Sequence, residues 1–521
     1  MMNSESFSAV AGLSNVLLAP VAGVCLIGLW LGYHVLVILY NISPLHPLWR
    51  FPGPRLAAAS YLYEVFYDLW LGGRYTREIR RMHEQYGPVV RINPDELHCN
   101  DPYFADEIYA GPGRIRDKFQ HQLNNRAEGP VHLTTHSTAN HELHRLRKSA
   151  IARFFSRQQM LKLEGEVREF AQLTTDKMLR WAGKGPFEVK DAFSCFTADI
   201  ISQYAFGEPI GFLAQETWEP NFATWVHPFL RFQFLMRHSA LVRKMGRYFP
   251  MLAGLMGQEM RALTQQTNSV IPGYVTAALA DPENGRGRVF SEVAESKTLP
   301  ASEKSVYRLS GEGFDFLLAG TETTAGVLTI LTYHLLAQPA VHARLMQGME
   351  GLDFSNLKYT ELEQLPYMWA VVHECLRMMP GLAHRSSRIP RDEDLIYRSQ
   401  DGKVELVIPR GTPIGMTSMI NHWDERLFPD PDAFRPERWL VDGQPNYKLL
   451  RFLMAFGKGS RSCLGENLAY CEIYLLAALM AIRVIPRASL YETTLEDVSY
   501  DHDCIVVETK KGSISTRITI S

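Results

Sequence analysis

Several features that would assign a function quickly are missing from this chain of 521 residues. Its seven cysteines are odd in number, irregularly spaced and without a Cys-x-x-Cys pair, which argues against a disulfide framework and a structural zinc site. Lysine and arginine (54) nearly balance aspartate and glutamate (56), so no basic excess points to nucleic acid. Internal repeats and low-complexity tracts are absent too. A hydrophobic fraction of 46% and a charged fraction of 21% are typical of a globular protein.

Charged residues are also absent from one long stretch, Val16 to Tyr40. About 25 residues at helical rise exceed the ~30 Å of a bilayer's hydrocarbon core. A cleaved signal peptide is the alternative, but its apolar part is shorter and follows a basic segment that this chain lacks. Glu5 precedes the stretch, whereas Arg50 and Arg55 follow it, which leaves the bulk of the chain cytosolic by the positive-inside rule. We expect residues 1–42 to be a single-pass anchor in the endoplasmic reticulum membrane.

Four prolines follow the apolar stretch within SPLHPLWRFPGP, Ser43 to Pro54. Proline ends a helix because it lacks a backbone N–H and clashes with the preceding turn, and a proline-rich segment is comparatively stiff. Residues 43–55 are therefore expected to form a hinge between the membrane and a single domain. No linker-like composition occurs after residue 55, so this domain is expected to span residues 56–521.

The sequence predicts a mainly helical domain with small peripheral β-sheets. Apolar residues recur with the 3.6-residue period of a helix in long segments, while strand-like runs are short. The predicted helices are Leu143–Phe155, Glu164–Trp181, Gly313–Ala337, Tyr367–Met379 and Asn467–Val484. The predicted strands are Pro88–Ile92, Val404–Ile408, Cys504–Glu508 and Ile514–Ile520.

Two short motifs lack the spacing that their chemistry needs. NHELHR, Asn140 to Arg145, is close to the HExxH motif of zinc proteases, but its second histidine is His144. That is one position too early for two imidazoles to share a metal on one helix face. GKGSRS, Gly457 to Ser462, is not GxGxxG, and no strand precedes it. Neither motif predicts a site.

The cysteine loop, FGKGSRSCLG from Phe456 to Gly465, surrounds one cysteine with glycines and positive charges. Cys463 stands where this loop meets the start of an apolar helix, whose free N–H groups and dipole favour a thiolate. Lys458 and Arg461 add positive charge, and the glycines let the backbone pass close to a large flat group. A thiolate, a planar partner and cations that neutralise carboxylates together describe haem iron ligated by cysteine.

The cysteine loop matches F-x-x-G-x-R-x-C-x-G, and the chain thereby resembles the cytochrome P450 haem-thiolate monooxygenases. The resemblance implies a bound haem b, with Cys463 as the axial ligand of its iron. Phe456 would pack beside this ligand, and Gly459 and Gly465 would permit close approach. Arg461 would pair with a haem propionate.

A weaker match lies in HRLRKS, His144 to Ser149. The family often has a tryptophan and an arginine four residues apart on this helix, and both reach the propionates. His144 and Lys148 stand at these positions here, and both side chains can donate to a carboxylate. A solvated basic face is the alternative.

AGTETT, Ala319 to Thr324, is similar to the oxygen-binding helix of the family. Gly320 leaves the helix groove open and threonine hydroxyls can divert backbone hydrogen bonds, which favours a local kink that holds dioxygen and water. Glu322 and Thr323 form an acid–alcohol pair suited to proton delivery, and they are the predicted catalytic residues. A polar patch on a buried helix is the alternative.

ECLR, Glu374 to Arg377, places an acid and a base three residues apart on an apolar helix, so the two can pair in a buried site. Such a pair needs further partners to offset desolvation. The family supplies one from FPDPDAFRPERW, in which Arg438 would complete a triad with a structural rather than a catalytic role. The family usually has phenylalanine after this arginine, whereas this chain has Trp439.

The resemblance implies a membrane-anchored monooxygenase that inserts one atom of dioxygen into a lipophilic small molecule. The chain contains no flavin or nicotinamide fingerprint, so electrons are expected from a separate NADPH-cytochrome P450 reductase. A haem-thiolate isomerase or dehydratase is one alternative, although it needs no proton relay such as Glu322 and Thr323; a haem-binding sensor is another. Basic side chains expected to attract the reductase are Arg145, Arg147, Lys148, Arg153, Arg157 and Lys458.

In style the chain is similar to filamentous-fungal family members of secondary metabolism, many of which oxidise terpenoids or polyketides. The resemblance implies an apolar pocket, so a neutral or weakly polar terpenoid is the expected substrate, with a polyketide or alkaloid as the alternative. Its expected lining is Phe314, Phe316, Leu318, Ala319, Leu382, Ala383, Ile505 and Val506, with Asp315, His384 and Arg385 as ionisable exceptions nearby.

Apolar and aromatic residues interleave with cations between Phe229 and Leu252. This composition suits a membrane interface or, alternatively, an ordinary helix–loop–helix. The apolar members are Phe232, Phe234, Leu235, Phe249 and Met251, and the cations are Arg231, Arg237, Arg243, Lys244 and Arg247.

Overall fold

Helices make up most of the regular structure. The computed structural model describes residues 4–230, 232–248, 251, 257–283, 285, 287–513 and 515–521, with side chains from residue 23 onwards. Twelve α-helices of eight residues or more lie in these ranges: α1 Ser4–Asn41, α2 Tyr75–Tyr86, α3 His141–Ala152, α4 Arg157–Leu179, α5 Val189–Phe206, α6 Phe222–Leu230, α7 Gln258–Gln265, α8 Ile271–Ala280, α9 Val306–Ala337, α10 Pro339–Gly348, α11 Pro366–Met378 and α12 Glu466–Leu479. Shorter α-helices are Arg55–Ala59, Leu62–Val65, Ala105–Ile108, Gln120–Leu123, Gln233–His238, Ala240–Met245, Val289–Glu295, Tyr359–Leu362, Ser418–Asn421 and Tyr447–Leu450.

The strands are short and form small sheets. In the described ranges they are β1 Val89–Arg91, β2 Leu97–Cys99, β3 Arg116–Lys118, β4 Phe187–Glu188, β5 Ser386–Pro390, β6 Leu395–Arg398, β7 Glu405–Ile408, β8 Ile414–Met416, β9 Leu440–Val441, β10 Gln444–Pro445, β11 Ala488–Leu490, β12 His502–Cys504, β13 Val506–Glu508 and β14 Arg517–Ile520. The largest sheet has the order β1-β2-β8-β5-β3 and the next has the order β11-β14-β4. The predicted fold class, mainly helical with small sheets, is confirmed.

Helix caps explain where two important helices begin. The Asn140 side chain accepts a hydrogen bond from the backbone N–H of Leu143 at 2.9 Å, so α3 starts at His141. The Ser305 hydroxyl accepts one from the N–H of Arg308 at 3.3 Å, so α9 starts seven residues before the predicted Gly313.

One strand prediction was wrong. Cys504–Glu508 is not a single strand, because Ile505 has a φ of 66° and reverses the chain. The segment is the tip of a hairpin in which β12 pairs with β13 in antiparallel register, Cys504 opposite Val506. Residue 514, the start of another predicted strand, lies outside the described residues, and that strand runs over Arg517–Ile520.

The core lies around α9 and α12. Helix α9 packs against α5, α8, α11 and α12, and most of its residues are buried. Three helical segments in the described residues are long and apolar enough to cross a membrane. Two of them, Val306–Ala337 and Glu466–Arg487, are 78% buried in the domain, whereas the window in Gly23–Asn41 is 0% buried. Of these three described segments, the N-terminal one alone is free to meet lipid.

The hinge region is attached to the domain rather than free. Turns follow α1 up to Arg55. The Asn41 side chain donates to the carbonyl of Ala59 at 2.9 Å, and the Arg91 backbone N–H donates to the carbonyl of Pro52 at 2.8 Å. These bonds hold the end of α1 against the first sheet.

Candidate functional site

The cysteine loop folds tightly over itself before α12. The Cys463 backbone N–H donates to the carbonyl of Phe456 at 2.7 Å. Gly459 has a φ of 70°, and a side chain there would collide with the carbonyl oxygen of Tyr109, so the close approach at Gly459 is to protein backbone. A Cβ added at Gly465 would meet nothing within 4 Å, so this glycine borders open space.

The Cys463 sulfur is accessible, although the residue lies within the protein interior. The side chain is exposed, yet the surrounding protein raises the pKa of the thiol to about 11. The backbone N–H groups of Gly465 and Glu466 at the start of α12, together with Lys148, act in the opposite direction and favour the thiolate. The sulfur therefore stands at the wall of an interior space, with donors placed behind it.

A basic cluster borders the same space. It comprises Lys118, His136, His144, Arg388 and Arg461. Burial and then the charges of Arg461 and Lys118 lower the pKa of His144 to about 2, and burial together with Arg388 lowers that of Arg461 to about 9. None of these five side chains has an ion-pair partner among the described residues. Basic groups this close together lower one another's pKa, and an anion that joined them would offset the cost of their charges.

Two of the predicted basic residues also hold the loop itself. The Lys148 ammonium donates to the carbonyls of Ser460 at 3.2 Å and Ser462 at 2.8 Å. The Arg461 guanidinium donates to the carbonyls of Thr138 at 2.5 Å and Ala139 at 2.6 Å, while its buried Nε has no partner among the described residues. Lys148 thus secures the backbone on both sides of Arg461.

Helix α9 carries the AGTETT segment, part of which is accessible. Most α9 residues are buried, but Ala319 is exposed and Leu318 and Thr323 are half-buried. The Thr323 hydroxyl donates to the carbonyl of Ala319 at 2.7 Å, which is the predicted diversion of a backbone carbonyl. The helix itself is continuous from Val306 to Ala337. Gly320 packs against Ile201 of α5, where an added Cβ would lie 3.2 Å from that side chain.

Glu322 belongs to a cluster with Lys190 and His227. Its Oε2 lies 2.8 Å from Nε2 of His227 and 3.4 Å from Nζ of Lys190, whereas its Oε1 is buried with no partner in the described residues. Although burial opposes ionisation, the two cations lower the pKa of Glu322 to about 2. The carboxylate is therefore ionised, with one oxygen left over.

The Glu322 cluster opens onto a large chamber beside the C-terminal hairpin. The chamber has a volume of about 760 Å³, and its wall includes Glu188, Lys190, His227, Glu322 and Glu508. Burial and the charge of Asp191 raise the pKa of Glu188 to about 7. Groups that exchange protons near neutral pH therefore share this chamber with Glu322.

The structure brings Glu374, Arg377 and Arg438 together in a cluster in which Glu374 and Arg377 are fully buried and Arg438 is partly buried. Arg377 binds both carboxylate oxygens of Glu374 at 2.8 Å, and Arg438 Nε binds Oε1 at 3.1 Å. Trp439, the departure from the family pattern, donates its indole N–H to Oε2 at 2.9 Å. The Arg435 backbone N–H adds a further bond to Oε1 at 3.0 Å. Every lone pair of this carboxylate has a donor.

Comparison with known proteins identifies the family. The cytochrome P450 family model matches residues 59–481. The chain is 39% identical to cytochrome P450 monooxygenase ppzE of Metarhizium majus over 81% of its own length and 92% of the relative. It is 34% identical to conidiogenone synthase PchP450 of Penicillium rubens (87% and 90% covered) and to fusicoccadiene C-8 hydroxylase of Phomopsis amygdali (89% and 89%).

The chain belongs to the cytochrome P450 family. The resemblance drawn from the cysteine loop is confirmed, and with it the classification as a monooxygenase related to enzymes of fungal secondary metabolism. The family uses a haem-thiolate cofactor, dioxygen and a redox partner.

The residues of this cytochrome P450 fit the cofactor. Cys463 offers an accessible sulfur, and Gly465 borders the same open space. The basic cluster supplies cations for two propionates, which would compensate its otherwise unpaired charge. Sequence reasoning missed Lys118 on β3 and Arg388 on β5. The available signal was a charged side chain within a buried strand, since Arg388 is only 4% exposed.

The predicted pocket lining divides into two groups. Leu318, Ala319 and Leu382 are accessible from the interior, and Leu382 pairs with Val506 through a β-bridge. In contrast, Phe314 packs against Phe222, Phe316 packs against Phe155 and Phe290, and Ala383 is fully buried. These three residues serve helix and strand packing.

The three ionisable residues near the pocket all have protein partners. Asp315 pairs with Arg126, although its second oxygen is buried with no partner among the residues that the structure describes. His384 Nδ1 lies 3.3 Å from the carbonyl of Ile505, and burial lowers the pKa of this ring to about 3. Arg385 lies between Glu64 at 2.7 Å and Glu96 at 2.9 Å.

The expected basic docking face is smaller than predicted. Arg145 is exposed, and Arg153 and Arg157 are exposed beside single acidic partners. The expectation was wrong for Arg147, which is buried and donates to Glu303 at 2.7 Å because the α3 side that carries it faces the domain. Lys148 is occupied by the cysteine loop.

The segment from Phe229 to Leu252 has both exposed and buried members. Phe232, Leu235 and Met251 are exposed, and so is Trp70 of the neighbouring Phe66–Trp70 turn, at 83%. Phe234 and Arg237 are buried instead, since Arg237 pairs with Asp68 at 3.1 Å. The predicted residues Arg231, Phe249 and Leu252 lie outside the described residues.

Proposed function

We propose that this protein inserts one atom of dioxygen into a neutral lipophilic molecule, a terpenoid of fungal secondary metabolism, with electrons from NADPH-cytochrome P450 reductase. The observation that carries the proposal is the accessible Cys463 sulfur at the start of α12, next to Lys148 and the basic cluster that includes Arg461. The name of one relative, fusicoccadiene C-8 hydroxylase, specifies oxidation of a carbon atom. Polyketide or alkaloid substrates are the second choice, because related fungal enzymes share this scaffold.

The cofactor in this proposal is haem b. Cys463 would ligate its iron, and Phe456 would pack beside this ligand on the cysteine loop. The propionates would meet Arg461, His144 and the basic residues that join them, with Lys148 fixing the loop. When bound, haem b supplies oxygen activation at an iron whose electronics the thiolate tunes. The chain contributes the orientation of the group, the exclusion of water and the control of protons.

Glu322 and Thr323 are proposed to manage those protons. The free Oε1 of Glu322 can accept a proton that enters through the chamber, and the Thr323 hydroxyl can exchange its bond to Ala319 for one toward the reacting oxygen. Lys190 and His227 hold Glu322 in place between transfers. The Glu374 cluster is proposed to be structural.

The partners of Asp315, His384 and Arg385 support a neutral substrate. Because Arg126, the Ile505 carbonyl and two glutamates already engage these side chains, a charged ligand would be buried without compensation. Apolar contact with Leu318, Ala319 and Leu382 would provide binding at about 25 cal/mol per Å².

The membrane arrangement follows from the N-terminus. We propose that residues 1–42 anchor the protein in the endoplasmic reticulum membrane with a single span, that 43–55 form the hinge, and that 56–521 form the cytosolic catalytic domain. The window in Gly23–Asn41 is not buried by protein, and exposed Trp70 and Phe232 extend the apolar surface of the domain.

The haem assignment is tested by replacing one cysteine at a time. The reduced wild-type protein with carbon monoxide should absorb at the red-shifted position that thiolate ligation produces. Cys463→Ala should abolish this band, whereas Cys471→Ala, at a fully buried site on α12, should keep it. Survival of the band in the Cys463 variant would end the assignment.

The substrate class is tested by spectral titration of the purified holoenzyme. Apolar terpenoids should shift the haem toward high spin, and organic acids should not. If only charged ligands produce the shift, the neutral-substrate proposal is wrong. Product formation from a hydroperoxide without reductase, together with no product from dioxygen and reductase, would favour an isomerase or dehydratase. Failure to oxidise any ligand would favour a haem-binding sensor.

A further inference from the structure

A row of aromatic side chains begins at the cysteine loop and continues into α11. The rings of Phe456 and Tyr470 are 5.0 Å apart, centroid to centroid. The Tyr470 hydroxyl lies 3.3 Å from Nε2 of His373. His373 stacks on Trp369 at 3.9 Å with an interplanar angle of 30°, and Trp369 meets Tyr447 at 5.6 Å. Each ring thus contacts the next.

The row runs from the interior to the protein surface. His373 and Trp369 are buried, with 3% and 7% exposure, whereas Tyr447 is 67% exposed. Phe456 precedes Cys463 in the loop and accepts its backbone hydrogen bond. The row therefore connects the proposed haem ligand to solvent through three oxidisable rings, Tyr470, Trp369 and Tyr447.

The hydrogen bonds of His373 prepare it as a base for Tyr470. Its Nδ1 lies 2.7 Å from the carbonyl of Trp369, which can only accept, so Nδ1 carries the proton. Burial lowers the pKa of this ring to about 4, so it is neutral at ordinary pH. Nε2 then presents a lone pair to the Tyr470 hydroxyl, which is the arrangement needed to take a phenolic proton.

We propose that this row, Tyr470, His373, Trp369 and Tyr447, carries oxidising equivalents from the haem site to the surface when activated oxygen is not consumed by substrate. Tyr470 would give one electron to the haem site, and its O–H proton would move to Nε2 of His373, leaving a neutral tyrosyl radical and an imidazolium. Trp369 then returns an electron to Tyr470, the proton on His373 returns with it, and Tyr447 returns an electron to Trp369 and releases its phenolic proton to solvent. A soluble thiol gives a hydrogen atom to the Tyr447 radical, and two such passes consume two oxidising equivalents and join two thiols as a disulfide. The proposal rests on the proposed haem site.

A neighbouring branch of tyrosines provides the matched control. Tyr474 lies 6.2 Å from Tyr470, and Tyr359 lies 5.7 Å from Tyr474. Both are buried, with exposures of 2% and 3%, and neither has a histidine base among the described hydrogen bonds. This branch resembles the row in ring spacing but lacks both the base and the surface exit. Tyr474→Phe therefore removes a similar phenolic hydroxyl without breaking the row.

The test mixes the full-length, substrate-free holoenzyme with a peracid and freezes it for electron paramagnetic resonance. Wild type should show an amino-acid radical, and Tyr470→Phe or His373→Gln should lower its yield severalfold. Tyr447→Phe should leave the radical on Trp369, which changes the signal from tyrosyl to tryptophanyl. Tyr474→Phe should match wild type. Tyr470→Phe should also lose its haem absorbance to peracid faster than wild type.

Two outcomes would overturn the proposal. One is a wild-type radical yield in Tyr470→Phe, and the other is an equal loss in Tyr474→Phe. Each variant is first checked for the thiolate band with carbon monoxide. If wild type itself lacks this band, the haem assignment fails; if the band is present and Tyr470→Phe keeps the wild-type radical yield, only the row fails.

Discussion

Two buried carboxylates of this cytochrome P450 are treated in opposite ways by their surroundings. Glu374 has donors on both oxygens: Arg377, Arg438, Trp439 and the Arg435 backbone. Glu322 has His227 and Lys190 on Oε2, its Oε1 has no partner in the part of the chain that the structure describes, and it borders the chamber. Both oxygens of Glu374 already accept hydrogen bonds, so this carboxylate cannot take a further partner. The Oε1 of Glu322 can still accept one.

The difference separates structure from chemistry. A buried charge that is fully hydrogen-bonded is destabilising to break and offers no site for a proton. A buried carboxylate with one free oxygen is less well satisfied, which is a cost that a protein retains where a group must act. We therefore interpret the Glu374 cluster as a brace below α12 and the Glu322 cluster as a proton station beside α9.

The largest effect is expected from Glu374→Ala. This change leaves Arg377 buried with no carboxylate, and breaking a buried pair costs about 3–5 kcal/mol. The protein should lose most of its thermal stability and fail to retain haem. Glu437→Ala is the matched control, since Glu437 pairs with Arg344 at a half-exposed site and such pairs contribute about 1 kcal/mol or less. A Glu374 variant as stable as the Glu437 variant would remove the basis of the comparison.

The next effect is functional. Glu322→Gln keeps the shape of the side chain but cannot carry a proton between the chamber and Thr323. The haem spectrum should stay intact, while product per NADPH falls severalfold and hydrogen peroxide rises. Glu312→Gln, at another buried carboxylate of α9 that pairs with Arg308, should leave this ratio unchanged. Normal coupling in Glu322→Gln would show that this carboxylate is structural as well.

A double variant sharpens the same prediction. Thr323→Ala should uncouple the enzyme as Glu322→Gln does, because both residues serve one proton route. Groups that act as a unit give non-additive effects, so the double variant should be little worse than either single one. Fully additive losses would contradict a shared route and are measured by the same product and peroxide assays.

Acidification should have a smaller and gradual effect on the stability of the protein. The pKa of Glu322 is about 2 in the fold and 4.5 ordinarily, so the carboxylate adds stability above pH 4.5. This contribution is lost as the pH falls from 4.5 toward 2. The melting-temperature difference between wild type and Glu322→Gln should therefore shrink as the pH falls through that window. A difference that grows on acidification would contradict the sign of the shift.

Local motifs were predictable from the sequence, and distant partners were not. The cysteine loop, Glu374–Arg377 and Glu322–Thr323 are short patterns whose chemistry depends on spacing within one helix or loop. Lys190 and His227 approach Glu322 from α5 and α6, and a single sequence carries no signal for which of its many cations will do so. Arg147 was assigned to the surface for the same reason, because its partner Glu303 lies 156 residues away.

The hairpin at Ile505 illustrates a second limit. A short run of apolar residues is compatible with one strand or with two strands and a turn, and this turn uses a non-glycine residue at positive φ. The long helices were easier to predict, because their periodicity extends over several turns. Their starts shifted where Asn140 and Ser305 provide caps.

The smallest effect is expected from Trp439→Phe, which restores the residue usual in the family. Phenylalanine keeps an aromatic ring against Phe428 and Trp369 but loses the indole N–H bond to Glu374. Arg377 Nε still donates to the same oxygen at 2.8 Å, so this oxygen keeps a hydrogen-bond donor. The loss should be about 1–2 kcal/mol, near the lower end for a hydrogen bond to a charged group.

The matched control for this change is Trp423→Phe, which removes an indole bond of 2.8 Å to the more exposed carboxylate of Asp432 and should cost less. Thermal unfolding measures both losses, and product per NADPH measures coupling. At full haem occupancy, Trp439→Phe should leave product per NADPH at the wild-type value. The reason is that the Glu374 carboxylate keeps its other hydrogen-bond donors. Uncoupling at full occupancy would mean that the Glu374 cluster reaches the chemistry, and the division between brace and proton station would have to be abandoned.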